Sequence, residues 1–140
     1  MKDKRFIEET FPVKEVSIES VKEKNIRHGH ISTLHIWWAR RPLASSRATN
    51  YAAIVPAPKN IDEWNERRDF LSEFSKWENS LNRSMIERAR KEILLANGGK
   101  PPKVLDPFGG GGAIPLETLR LGCETYSNDL NPVAVLAAGL

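Results

Sequence analysis

The chain has 140 residues, 40% of them hydrophobic, which is room for one modest domain with its own core. Its single cysteine, Cys123, excludes an internal disulfide and any multi-cysteine zinc site, and reads as a small buried residue. The formal net charge is only +3, no apolar run approaches the ~18 residues of a membrane span, and no signal segment follows Met1, so a cytoplasmic setting away from membranes is expected.

Residues 1–60 read as a basic segment, with 11 basic and 6 acidic side chains. No acidic residue occurs between Glu23 and Asp62, whereas Lys24, Arg27, Arg40, Arg41, Arg47, Lys59 and all three histidines do. That composition suits contact with phosphates. Ser17, Glu19, Ser20 and Lys22 suggest a short helix. Pro42 stands where a helix would begin, and Leu43, Ala44, Ala48, Tyr51, Ala52 and Val55 recur at helical spacing until Pro56 and Pro58, which predicts a buried helix over 43–54.

Residues 61–97 form an amphipathic helical region. From Asp62 to Asn97 there is no Gly or Pro, and Trp64, Leu71, Phe74, Trp77, Leu81, Met85, Ala89 and Ile93 step by three, four or seven. The stripe should face the core, with a break near Asn79-Ser80.

After the turn signal Asn97-Gly98-Gly99-Lys100-Pro101-Pro102, residues 101–140 change character, with 2 basic and 4 acidic groups. Lys103 to Asp106 reads as a short buried strand, Ile114 to Leu121 as a helix, Glu124 to Asn128 as a second strand, and Pro132 to Leu140 as the next helix. The expected class is α/β: the start of a Rossmann-like sheet (strand, glycine loop, helix, strand) behind a mainly α-helical N-terminal region.

Asp106-Pro107-Phe108-Gly109-Gly110-Gly111-Gly112-Ala113 lies between the first strand and its helix, where nucleotide-like ligands bind. Glycines let backbone approach a ligand and supply positive φ; a purely structural turn would rarely need four. A phosphate-binding loop lacks its Gly-Lys-Ser/Thr ending here, and the dinucleotide fingerprint would need Gly or Ala where Ile114 stands. S-adenosylmethionine, with an ammonium, a sulfonium and a carboxylate, suits an acidic strand end such as Asp106. Asp129, 23 residues later, can accept hydrogen bonds from ribose hydroxyls, each contributing ~1.5–3 kcal/mol.

The chain resembles the adenine-specific DNA methylases that carry an N-terminal domain of uncharacterised function ahead of an amino-methyltransferase domain. The resemblance rests on Gly29-His30-Ile31-Ser32-Thr33-Leu34-His35-Ile36-Trp37-Trp38-Ala39-Arg40-Arg41-Pro42-Leu43-Ala44, on the glycine run with Ile114-Pro115-Leu116-Glu117, and on Ser127-Asn128-Asp129-Leu130-Asn131-Pro132-Val133-Ala134. It implies that Asp106, Pro107, Phe108, Gly109, Gly110 and Gly111 line the methionine end of the cofactor, that Asp129 binds its ribose, and that Asn131 and Pro132 shape the turn beneath the adenine. It further implies DNA as partner, a restriction-modification setting, and transfer of a methyl group to an exocyclic amine of adenine. The family's catalytic Asp/Asn-Pro-Pro-aromatic run occurs nowhere in the 140 residues, so the remainder of the domain is expected in the same or another chain.

Three readings stay open for Trp37-Trp38-Ala39-Arg40-Arg41-Pro42. Arg40 and Arg41 can hold phosphates while Trp37 or Trp38 stacks on a displaced base; the segment can fold back over the cofactor loop, with His30, Ser32 or Thr33 near the methionine carboxylate; or the tryptophans can pack on the long helical region while the arginines reach solvent. His28, His30 and His35 lack acidic or cysteine companions, so no metal site is expected. Ser45, Ser46 and His35 lack an acidic orienter and a nucleophile elbow, which argues against a hydrolase.

Overall fold

The computed structural model describes residues 4–26, 37 and 40–138. Helix α1, Phe6–Glu9, is a single turn. The Phe6 N–H donates to the Val55 carbonyl at 3.0 Å and the Ala57 N–H to Lys4 at 2.9 Å, which pins Phe6 into the core with no exposed surface. Helix α2, Val13–Asn25, starts directly behind Pro12 and is longer than the short helix expected from Ser17. Its buried positions are Val16, Glu19 and Glu23, spaced by three and four, but two of them are charged, so no apolar stripe announces the face.

Helix α3, Leu43–Ile54, matches the expected buried helix and touches α1, α2 and two helices further on. Pro42 offers no side-chain oxygen to its first turn. The Glu23 carboxylate supplies the cap from twenty residues away, accepting the Leu43 N–H at 2.9 Å and the Ala44 N–H at 3.0 Å.

The long helical region divides into α4, Ile61–Phe74, and α5, Arg83–Ala96, each opened by an asparagine: Asn60 accepts the Glu63 N–H and Asn82 the Met85 N–H. A 3₁₀ turn at Trp77–Asn79 lies between them, so the expected break is eight residues wide, 75–82. That width corrects the expected stripe: Leu71, Phe74, Ala89 and Ile93 are buried, but Trp77 and Leu81 sit in the turn, 40% and 79% exposed. Tyr51 packs on Phe70 and Phe74, with centroids 5.6 and 6.4 Å away, and these rings join Leu71, Ala89 and Ile93 in the core.

Strand β1, Lys103–Asp106, helix α6, Ala113–Arg120, strand β2, Glu124–Ser127, and helix α7, Pro132–Ala138, follow in the expected order. The strands pair in parallel from Lys103 opposite Glu124 to Asp106 opposite Ser127. Val104, Leu121 and Cys123 join the helical core, yet β1 is not the fully buried strand its sequence suggested: Leu105 is 66% exposed, and its cross-strand neighbour Tyr126 48%. Helices cover one face of the pair and leave the other to solvent. The chain is thus a mainly helical α/β structure with a two-stranded parallel sheet among its described residues, and none of the described helices is long and apolar enough to cross a membrane.

Candidate functional site

The glycine bend sits at the carboxyl ends of both strands. The Asn128 N–H donates to the Asp106 carbonyl and the Gly109 N–H to the Asn128 carbonyl, each at 2.9 Å, so the bend after β1 is laced to the end of β2. Asp106 is buried; its Oδ1 accepts the Phe108 N–H at 3.1 Å, and its Oδ2 takes no donor among the described residues. Asp129 is half-buried and bridges two backbone segments: Oδ2 accepts the Gly110 N–H and Oδ1 the Asn131 N–H, both at 2.8 Å. These bonds, from Asn131 first and then Gly110, hold its carboxyl below the ordinary carboxylate range, so it is ionised at neutral pH. Asn131 in turn accepts the Val133 N–H at 3.0 Å and caps α7, with Pro132 as its first residue.

Each glycine of the run has either a left-handed backbone or a close side-chain neighbour. Gly110 and Gly112 adopt φ of +48° and +78°, in the left-handed region. A Cβ at Gly109 would lie 2.2 Å from the Ser127 hydroxyl, and one at Gly111 would lie 3.0 Å from both Cδ1 and Nε1 of the Trp37 indole. Backbone conformation thus accounts for Gly110 and Gly112, a Cβ at Gly109 or Gly111 would have to push a side chain aside, and the argument for a ligand passes to the carboxylates. Neither Asp106 nor Asp129 enters an ion pair among the described residues. Two acidic groups that meet no cation among the described residues suit a positively charged ligand and oppose a phosphate.

Of the expected site residues, the structure brings Asp106, Gly109, Gly110, Gly111, Asp129 and Asn131 into one laced cluster. Pro107 and Phe108 lie on its exposed rim, Phe108 at 83%. A half-open hollow of about 290 Å³, lined by Pro115, Leu119, Thr125, Ser127, Asn128, Asp129, Ala134 and Val135, opens beside it between α6, β2 and α7. A larger hollow of about 580 Å³ lies elsewhere, between α4 and α5, around Glu66, Asp69, Phe70, Glu73 and Arg88; it is wide open and shares no residue with the bend. Trp37 is half-buried against Gly111, whereas Arg40 is half-buried and Arg41 exposed further along. Trp38, His30, Ser32 and Thr33 lie outside the described residues.

Two contributions escaped sequence reasoning. Ser127 fills the space a side chain at 109 would need. Beneath the bend, α6 is clamped to α3 by Arg47 and Glu117, whose side chains are 1% and 0% exposed with NH1 and Oε2 3.6 Å apart. Arg47 also donates to the carbonyls of Ser75 and Lys76, at 3.2 and 3.1 Å, and its guanidinium lies 5.1 Å from the Phe74 ring centroid; Arg120 donates to Glu117 Oε1 at 2.6 Å. Burial outweighs pairing in both groups, raising the Glu117 pKa and lowering that of Arg47. No local pattern links residues 47 and 117; a glutamate amid the apolar face of α6 is the one sequence trace.

The family described as "Protein of unknown function (DUF1156)" matches residues 10–80, which hold α2, α3, α4 and the Trp37 to Arg41 segment, and stops ahead of the glycine bend. Neither the curated proteins nor the solved structures give a match.

Proposed function

We propose, for a chain that belongs to the DUF1156 family, that it carries the cofactor-binding front of an S-adenosylmethionine-dependent DNA methyltransferase. The observation that carries this reading is the Asp129 bridge: an ionised carboxylate at the end of β2, held against the bend after β1 by the Gly110 N–H. In the proposed complex the ribose hydroxyls donate to Asp129, whose oxygens keep lone pairs beyond those used by Gly110 and Asn131. Asp106 and the bend from Pro107 to Gly111 would hold the ligand's ammonium, and Asn131-Pro132 would shape the turn under the adenine. When bound, S-adenosylmethionine would supply a methyl group activated by its sulfonium, for transfer to an exocyclic amine of a DNA base, adenine by resemblance, with the thioether as leaving group and the amine proton taken up by a base or by water. Residues that grip that amine come from the remainder of the domain, in the same or another chain, since no Asp/Asn-Pro-Pro-aromatic run occurs in the 140 residues. The open face of Leu105 and Tyr126 supports such a completing layer.

A second reading, a non-enzymatic nucleic-acid-binding or assembly module with a vestigial cofactor loop, draws support from the left-handed backbone or close side-chain neighbour found at each of the four glycines. Calorimetric titration with S-adenosylmethionine, on the chain alone and joined to the strands that complete its sheet, separates the two. Saturable binding that Asp129→Ala weakens at least about tenfold, as expected from loss of one charged hydrogen bond, supports the first. Unchanged affinity refutes the ribose assignment, and no binding in either form favours the module.

A further inference from the structure

The contact between Trp37 and Gly111 joins the family-matched region to the bend, and it bears on what the site can distinguish. The nearest indole atoms to a Cβ at 111 would be Cδ1 and Nε1 at 3.0 Å and Cε2 at 3.5 Å, so the pyrrole ring lies along the bend. Gly111 nevertheless stays exposed, so the indole flanks the bend and does not seal it. Asp106 and Asp129 attract positive charge, but a methyl donor and its product carry the same ammonium, and the carboxylates alone separate them poorly. What differs is the sulfur: a cation before transfer, a neutral thioether afterwards. An aromatic ring within ~6 Å of a cation discriminates charge at a fixed place, and indole does so best among side chains.

We infer that Trp37 forms the wall of the site that faces the sulfonium, favouring the charged donor over the neutral thioether left behind. The inference rests on the cofactor reading above. It gives Trp37 a ligand contact, where the sequence suggested base stacking, and it gives a bare position 111 a use: a side chain there presses on the ring, which must shift by a few tenths of an ångström.

The test uses the full chain joined to the strands that complete its sheet, titrated with S-adenosylmethionine, S-adenosylhomocysteine, and an amine analogue bearing an ammonium in place of the sulfonium. Trp37→Leu is expected to weaken the two cationic ligands about fivefold, a loss of ~1 kcal/mol, and the thioether less than about twofold; Trp37→Phe retains most of the preference. Gly111→Ala, which keeps the indole but moves it, is expected to erode the same preference. Equal weakening of all three ligands, or tighter binding of all three on removing the indole, overturns the proposal, because the ring would then be a packing element or a plug. If wild type binds all three and Trp37→Leu alters none, the cofactor reading survives and this inference falls. If wild type binds none, both fall.

Discussion

Where α3, α4 and α5 meet, Tyr51, Leu71, Phe74, Ala89 and Ile93 turn inward and have no exposed surface. Around the glycine bend the reverse holds. Leu105, Phe108, Leu130, Val133, Val135 and Leu136 are between 48% and 97% exposed, along one sheet face, the bend and α7. The first region is organised around those buried side chains, with Ile61, Leu81 and Leu95 left exposed at its margins. The second has its backbone laced and its carboxylates set, but it leaves apolar surface of the kind that marks a contact with further structure. In this chain the helical region holds the buried core, and the strand unit carries the laced glycine bend beside exposed apolar side chains.

The contrast can be broken first at the core. Phe74→Ala should cost about 3–5 kcal/mol in urea unfolding, whereas Leu105→Ala should stay within about 0.5 kcal/mol. Comparable losses would mean that the sheet face is covered in solution.

The clamp between the regions comes next. Arg47→Met leaves Glu117 in a dry site with Arg120 as its remaining cation, and should cost about 3 kcal/mol at neutral pH; Arg47→Met with Glu117→Gln should recover part of that loss. The pH dependence follows from the raised folded pKa of Glu117. Its favourable contribution is full below its unfolded carboxylate pKa and is lost as the pH rises through the folded value. The Arg47→Met deficit should therefore shrink on acidification. A deficit that grows in acid would contradict the assignment.

How much of this was legible in the sequence differs between the same two regions. Helix α3 and the strand unit announced themselves through apolar spacing, prolines and glycines, which are local signals. Helix α2 did not, because Glu19 and Glu23 occupy its buried face, and Glu23 is there to cap α3. Trp77 and Leu81 continued a helical pattern that the turn between α4 and α5 interrupts. At the bend, Asp106, Gly110 and Asp129 could be singled out by type and position, but the Ser127 and Trp37 side chains that crowd positions 109 and 111 are 18 and 74 positions away. Only the fold shows those pairings.

The smallest expected effect concerns the basic segment. Arg40→Ala with Arg41→Ala should lower DNA affinity and flatten its dependence on log salt concentration, each lost phosphate contact changing the slope by ~0.9. An unchanged slope would assign the arginines to structure.

The most direct test of the account is a map of amide chemical shifts in the ¹⁵N-labelled chain during titration with S-adenosylmethionine, which registers even weak binding. Shifts concentrated at Phe108 to Gly112 and at Asp129 to Asn131, with the α4–α5 hollow silent, are the predicted result. Shifts confined to Glu66, Asp69 and Arg88, or none anywhere at millimolar ligand, would contradict a cationic methyl donor seated between the two aspartates.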